Sequence, residues 1–251
     1  MIVNEESPAM PGFFLALRGV MRGGGLHAGG NHLVLHNAIN VRVNMKQKIT
    51  TMLELQDSMN SKVNPDWRNA GNAWYRAIWI EAAEMLEHYG WKWWKKQQPD
   101  IMQVKLEVVD IVHFALSIRL QSEGSLDQVA ECIADEFAMA ETADDIKTTI
   151  ELLAQKTLQD KGAHFSIIAG VMQHLNMPFD ELYEIYVGKN VLNMFRQDNG
   201  YKEGTYTKIW NGREDNEYLA DILQQLNCNS DSFKDDIYGA LADCYPAGVA
   251  A

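Results

Sequence analysis

Four carboxylates stand in two short patterns that are suited to binding metal ions: Glu81-x-x-Glu84 and Glu107-x-x-Asp110. In a helix, residues three apart lie on the same face, so each pattern presents two carboxylates together. Four acids that meet in a partly dry space repel one another and either take up protons or bind cations. An all-oxygen ligand set favours hard ions, Mg²⁺ first and Mn²⁺ next, and protein-bound Mg²⁺ commonly completes its shell with water and phosphate oxygens. The two patterns together indicate phosphate chemistry, whereas either one alone is more typical of a solvated helix face.

The residues around these acids predict two consecutive helices that carry the acids on their apolar sides. In the first helix, Glu81 and Glu84 fall within an apolar stripe, whose other members are Trp74, Ala77, Ile78, Met85 and His88. The second helix, expected over residues 104–120, is apolar on nearly every side, and its only acids are Glu107 and Asp110. Such a pattern is typical of a helix buried on more than one face. Both pairs of acids are therefore expected to point inward and to share one site.

The rest of the chain is also predicted to be helical. Apolar residues recur at helical spacing, and no stretch alternates between apolar and polar residues over a useful length. A helix is expected from Met45 to the break at Asn64-Pro65-Asp66. Further helices are expected over residues 126–140, 144–158, 162–175, 179–195, 219–226 and 233–241. The sequence therefore predicts an all-α helical bundle.

The first 44 residues differ in composition from the rest. They hold seven of the eighteen glycines and show no sustained helical period. This composition predicts a flexible leader over residues 1–44 that is not needed by the functional domain. Residues 45–251 are then expected to form a single all-α domain.

Charge and cysteine content narrow the function further. The formal net charge is −12, which argues against nucleic acid or an anionic membrane as the main partner. Cys132, Cys228 and Cys244 are widely spaced, so neither a disulfide framework nor a zinc site is indicated. No apolar run approaches the ~20 residues that span a bilayer. These features predict a cytoplasmic protein without a membrane partner.

A basic stretch near the C-terminus stands out in this acidic chain. Between Tyr186 and Arg213, five basic residues face only two acids, Asp198 and Glu203. Glycines and aromatic residues punctuate the stretch, so a folded loop is predicted there. A cationic patch opposite an acidic metal site would suit a metal-bound polyphosphate. On composition alone, solvated charges in a turn region explain it equally well.

Three polar residues near the acids are ambiguous on sequence grounds. Gln56 and Asn60 are four apart on the first predicted helix, and surface amides are the simplest interpretation. His113 follows Asp110 by three residues. Di-iron bundles use E-x-x-H on two helices, but only one imperfect copy is present here.

Several motifs resemble the all-α, dimeric dUTPases, which are relatives of MazG-type nucleotide pyrophosphohydrolases. The paired tetrads are shared by that whole superfamily. Four further segments are similar to the dUTPases in particular: LQDSMN, EHYGWKWWK, EVVDIVHFALS and KNVLNMFRQDNGYKEGTYTKIWNGREDN. They cover roughly residues 45–216, while residues 1–44 have no counterpart in the family.

The resemblance implies a role for each matching residue. Glu81, Glu84, Glu107 and Asp110 would bind Mg²⁺, which Mn²⁺ can replace, and Glu81 would also orient or deprotonate the attacking water. Lys189, Arg196 and Lys208 would hold phosphates. The pocket for uracil and deoxyribose would be lined by Gln56, Asn60, Trp93, Phe114, Asn193 and Asn216. The resemblance further implies a homodimer that hydrolyses dUTP and dUDP, located in the host cytoplasm if a phage encodes it.

Two other functions remain open at this point. A MazG-like pyrophosphohydrolase with a different base preference would share the metal site but would not need the basic stretch in this form. A non-enzymatic helical protein could use the same carboxylates only to hold metal. The three possibilities differ in which nucleotides, if any, are hydrolysed.

Overall fold

A computed structural model describes residues 28–122 and 124–246 of this chain, with side chains from residue 41 onward. The chain divides into two compact units, Met1–Val43 and Asn44–Ala251. The second unit contains every residue discussed as part of a site below. The leader predicted for residues 1–44 lies outside the described residues over its first 27 positions.

The described part of the chain is almost entirely helical, which confirms the predicted all-α class. Its helices are α1 (Ala28–Val63), α2 (Trp74–Tyr89), α3 (Ile101–Arg119), α4 (Leu126–Ala138), α5 (Ile146–Asp160), α6 (Phe165–His174), α7 (Phe179–Asp198), α8 (Asp215–Leu223) and α9 (Phe233–Cys244). Strands β1 (Ile209–Trp210) and β2 (Arg213–Glu214) form one short antiparallel hairpin. No helix in the described ranges is both long enough and apolar enough to cross a membrane.

Local sequence explains where the helices next to the acids begin and end. Helix α2 ends at Gly90, whose φ of 88° is strained for residues with a side chain. Asp100 caps the start of α3 by accepting a hydrogen bond from the backbone N–H of Gln103. Pro178 directly precedes α7, where its fixed φ suits a helix start and no hydrogen bond of the helix requires its missing N–H. These boundaries place the acids within the central turns of α2 and α3.

Helices α2 and α3 pack extensively against each other, and α7 also packs against α3. Helix α3 is buried over most of its surface, as its apolar composition predicts. The core of the unit is continuous, and it includes residues such as Ile78, Met85, Val108, Ile111 and Tyr186. The acids on α2 and α3 are thus held by well-packed helices.

Two sequence predictions differ from the structure. Helix α1 begins at Ala28, well before Met45, because a helical backbone can extend beyond the region in which an apolar period is visible. The basic stretch, predicted as a loop, is helical up to Asp198 at the end of α7. Its glycines determine only the part that follows, where Gly200, Gly204 and Gly212 adopt positive φ.

Candidate active site

Three of the four predicted metal ligands converge between α2 and α3. Glu81, Glu84 and Glu107 each offer a carboxylate oxygen, and these atoms all lie within 4.8 Å of one another. Their exposure is graded: Glu107 is buried, Glu81 is half-buried and Glu84 is exposed. The cluster therefore opens to solvent on the Glu84 side and is closed on the Glu107 side.

The carboxylates perturb one another strongly. Burial, a hydrogen bond shared with Glu107 and the charges of the neighbouring acids raise the pKa of Glu81 to about 7. The pKa of Glu107 is raised as well, mainly by burial and also by the charges of Asp110 and Glu84. His88 adds a nitrogen 3.4 Å from a Glu107 oxygen. Burial and like charges thus favour a proton on this pair of carboxylates up to a higher pH than on an exposed glutamate.

These residues fit a hard divalent cation. The donor atoms are carboxylate oxygens, which Mg²⁺ and Mn²⁺ prefer. A bound cation would replace the shared proton and relieve the repulsion that raises the two pKa values. The exposed side of the cluster leaves room for water and a phosphate oxygen to complete the coordination shell.

The fourth predicted ligand, Asp110, already has a cationic partner. Lys189 Nζ, which α7 brings to α3, lies 2.6 Å from both carboxylate oxygens of Asp110. Asp110 is therefore not part of the three-glutamate group, although its charge is close enough to raise the pKa of both Glu81 and Glu107.

One turn further along α3, a chain of buried hydrogen bonds links three helices. Gln56 donates to the side-chain oxygen of Asn60 at 3.0 Å, and Asn60 donates to Ser117 Oγ at 2.9 Å. Tyr186 donates to Gln56 at 2.8 Å, and His113 Nδ1 lies 2.8 Å from the same Gln56 oxygen. Gln56 and Asn60 are 5% and 8% exposed, so the interpretation as surface amides is wrong.

Several polar atoms near this chain are buried without a hydrogen-bond partner. They are Trp74 Nε1, His113 Nε2 and both side-chain amide atoms of Asn190. Asn190 lies close to the Tyr186 hydroxyl, one turn away on α7, but does not reach hydrogen-bonding geometry. Unpaired buried polar groups are costly, and they commonly mark places where a ligand supplies the missing partners.

Aromatic rings lie beside these unpaired atoms. Trp74 stacks on the predicted pocket residue Phe114 with ring centroids 6.2 Å apart. His113 stacks on Tyr186 at 4.2 Å. A planar ring with polar edges would find stacking surfaces and hydrogen-bonding groups together here.

A second polar cluster lies at the end of α7. The buried carboxylate of Asp215 accepts two hydrogen bonds from Arg196 at 2.8 Å and one from the Tyr206 hydroxyl at 2.8 Å. Arg196 also donates to Asn193 at 3.1 Å and to Asn216 at 3.3 Å. Burial alone would raise the pKa of Asp215, but Arg196 and Tyr206 outweigh it and hold that pKa below its ordinary value. The structure thus brings together Asn193, Arg196 and Asn216, as a group anchored by Asp215.

The side chains of two predicted substrate-binding residues, Trp93 and Lys208, do not join these groups, although the backbone carbonyl of Lys208 accepts a hydrogen bond from the Asp215 N–H at 2.9 Å. The Trp93 side chain is 89% exposed and packs edge-on against Trp94, whereas Trp74 is the tryptophan that contacts Phe114. Lys208 is exposed and lies over the Tyr201 ring at 5.6 Å. Neither residue contacts the carboxylates in this structure.

Sequence reasoning did not single out His113, Asn190, Trp74 and Asp215 as site residues. A signal was present for two of them. His113 lies one turn after Asp110, and Asn190 lies between Tyr186 and Asn193 at helical spacing. For Asp215, the local sequence is rich in charges, and only the fold shows which carboxylate is buried against Arg196.

Comparison with known proteins agrees with this geometry. A search of curated proteins finds no match. The family model for dUTPase matches residues 48–201, which is more than half of the chain. The matched region contains the carboxylate cluster, Lys189 and the buried polar chain, while Lys208 and Asn216 fall beyond it. From this match and the site it encloses, the chain is a nucleotide hydrolase of the dUTPase family.

Proposed function

We propose that this protein hydrolyses dUTP to dUMP and pyrophosphate, and dUDP to dUMP and phosphate, with Mg²⁺ bound by its carboxylates. The observation that carries the proposal is the placement of the Glu81, Glu84 and Glu107 cluster about two helical turns from a group of buried aromatic rings and unpaired polar atoms. A nucleotide has the same arrangement, because its phosphates and its base are separated by one sugar. Removing such nucleotides would keep uracil out of DNA.

The polar residues of α7 support this orientation of the substrate. Tyr186, Lys189, Asn190, Asn193 and Arg196 lie three or four residues apart along one side of α7. Ten residues of helix span about 15 Å, enough for an extended nucleoside triphosphate. In the proposed complex, the base lies near Tyr186, and Lys189 and Arg196 face the phosphates.

Each group of residues has a distinct task in the proposed reaction. Bound Mg²⁺ would neutralise phosphate charge and lower the pKa of a coordinated water. Glu84, Glu107 and Asp110 would complete the ligand set with Glu81. Glu81 would also orient the attacking water and accept its proton. Lys189, Arg196 and Lys208 would bind phosphate oxygens and stabilise the negative charge of the leaving group.

Phosphate binding in this scheme involves an exchange of ion-pair partners. Lys189 is paired with Asp110, and Arg196 with Asp215. A bound phosphate would offer Lys189 a new anionic partner, and Asp110 would then be free to hold Mg²⁺. The Arg196 pair is more buried, so Arg196 would reach phosphate without leaving Asp215.

The test is product release measured over a panel of nucleotides at saturating Mg²⁺. We expect the highest kcat/KM for dUTP and dUDP, much lower values for dTTP and UTP, and turnover of dCTP near background. Comparable values for dUTP and dCTP would instead support a MazG-like enzyme with a broader preference. The absence of turnover with every nucleotide would support a metal-binding protein without this activity.

We also propose that the protein acts as a homodimer in the cytoplasm and that residues 45–251 contain the catalytic domain. Large apolar side chains are exposed at positions 79 and 80 of α2 and at Ile101 and Met102 of α3, a pattern that favours a partner surface. Sedimentation velocity should give the mass of two chains. A monomer that is fully active would rule out the dimer as the functional unit.

A further inference from the structure

In the buried hydrogen-bond chain from Gln56 through Asn60 to Ser117, the contacts of Ser117 determine which group donates and which accepts at each step. Ser117 Oγ lies 3.0 Å from the backbone carbonyl of His113, which is four residues earlier on α3. A carbonyl only accepts, so the serine hydroxyl donates to it and can only accept from Asn60. Asn60 must therefore turn its NH₂ group towards Ser117 and its oxygen towards Gln56. Gln56 in turn donates with its NH₂ group and presents its oxygen to His113.

This direction determines which ring nitrogen of His113 carries the proton. The Gln56 oxygen has no hydrogen to donate, so His113 Nδ1 must be the donor in their 2.8 Å contact. The other ring nitrogen, Nε2, is then an unprotonated acceptor. Burial and the nearby charge of Lys189 lower the pKa of His113 to about 3, so the ring stays neutral. Nε2 is buried and has no partner.

A ligand that bonds to His113 Nε2 must offer a hydrogen-bond donor, and the stacked rings nearby favour a planar group. Uracil presents the N3–H donor between two carbonyl acceptors. Cytosine presents an N3 lone pair at the same place, next to an amino group. The unpaired NH₂ of Asn190 could donate to one of the uracil carbonyls.

We propose that His113 is a specificity-determining residue whose Nε2 accepts the N3–H of uracil, and that Ser117, Asn60 and Gln56 are positioning residues that fix the required tautomer. The inference deepens the proposed function and rests on it for the identity of the base. Because Nε2 is shielded from solvent, the entering base must displace the side chains that cover it. Thymine also carries N3–H, so the hydrogen bond to His113 Nε2 discriminates against cytosine but not against thymine.

The tautomer can be tested without any nucleotide. Long-range ¹H–¹⁵N spectra of the full chain labelled with ¹⁵N-histidine report the protonation of each ring nitrogen, and the His113 signals are those missing from His113→Gln. We expect Nδ1–H with a bare Nε2, unchanged between pH 8 and pH 5. A proton on Nε2, or a ring that becomes charged near pH 6, would overturn the inference whatever the enzyme hydrolyses.

The discrimination is tested with two variants and one control. The amide of His113→Gln can rotate to offer either its oxygen or its NH₂ group, so the kcat/KM ratio of dUTP to dCTP should fall about 10- to 100-fold. The ratio of dUTP to dTTP should stay within about twofold. Ser117→Ala removes the fixed end of the chain, and it should yield a mixture of His113 tautomers and a smaller fall in the same ratio. The control His174→Gln changes a histidine that bonds to Thr149 on α5, and it should leave both ratios unchanged.

The outcomes separate this inference from the proposed function. If the wild-type protein prefers dUTP and His113→Gln keeps the full preference over dCTP, the role assigned to His113 is wrong while the function stands. If the wild-type protein does not hydrolyse deoxyuridine nucleotides, the proposed function fails, and the assignment of uracil to His113 fails with it. A Ser117→Ala protein that folds and keeps a single Nδ1–H tautomer would contradict the positioning role of the chain.

Discussion

Replacing Glu81 by glutamine should stabilise the metal-free protein at high pH while it removes activity. Glu81 is the carboxylate whose pKa rises from an ordinary 4.5 to about 7, because of burial and its acidic neighbours. A group with a raised pKa in the folded state binds its proton more tightly there than in the unfolded chain. Its contribution to stability is therefore full below pH 4.5 and is lost as the pH rises through about 7. Above that pH, the wild-type protein holds an unfavourable buried charge that glutamine lacks.

The size of the effect follows from the two pKa values. Each pH unit between them corresponds to about 1.4 kcal/mol, which gives an upper limit of about 3 kcal/mol. Glu81 is only half-buried, and solvent screening reduces the expected value to about 1–2 kcal/mol. For a domain of this size, that difference raises Tm by about 2–8 °C.

Urea unfolding in EDTA at pH 8 and pH 5, followed by tryptophan fluorescence, measures the difference. Glu81→Gln should be the more stable protein at pH 8, and the two proteins should converge at pH 5. Added Mg²⁺ should reverse the order at pH 8, because only the wild type keeps the complete ligand set. The exposed Glu151→Gln on α5 is the control and should match wild type throughout. A variant that is less stable than wild type at pH 8 in EDTA would refute the repulsion argument.

Three further predictions concern other parts of the chain. Lys189→Met removes the cation that competes for Asp110, so the affinity for Mn²⁺ without nucleotide, measured by electron paramagnetic resonance, should rise about 10-fold. The control Lys105→Met loses a pair with Glu181 instead and should not change this affinity. Equal Mn²⁺ affinities of Lys189→Met and wild type would show that Lys189 does not compete with metal. Asp215→Ala leaves Arg196 without its buried partner and should lower the free energy of unfolding in urea by about 3–5 kcal/mol. The control Arg213→Ala breaks an exposed pair and should change it far less, and similar losses for the two variants would contradict the structural role of Asp215. Deleting residues 1–44 should leave kcat/KM for dUTP within about twofold, since the site residues all lie in the second unit, and a truncated protein that fails to fold would show that the leader is structural.

The sequence was a good guide to the helices and to the meeting of three of the four predicted acids. The two helices predicted around the acids correspond to α2 and α3, and Glu81, Glu84 and Glu107 lie close together, as their spacing predicts. These features could be predicted because helical periodicity is local and because acids within an apolar stripe lie on the helix face that packs against its neighbours. The separate position of Asp110 could not be predicted in this way, since it depends on α7 bringing Lys189 to α3 from 79 residues away.

The predicted base-binding residues show more clearly that local sequence does not reveal tertiary contacts. Gln56 and Asn60 look like surface amides in sequence, because an isolated helix gives no indication that Ser117 and Tyr186 will cover them. The register of the tryptophans is a tertiary feature too, for Trp74 packs on Phe114 while Trp93 is exposed. Only the folded arrangement reveals which polar atoms are left without a partner.

The most direct test of the central claim is the rate of dUMP formation from dUTP before and after metal removal. With Mg²⁺ present, we predict efficient turnover, which EDTA reduces to background and excess Mg²⁺ restores. Glu84→Gln under the same Mg²⁺ should lose at least about 100-fold in kcat, because a missing ligand misplaces the charge that stabilises the transition state. An unchanged rate in EDTA would contradict the assignment of the carboxylate cluster as a catalytic metal site.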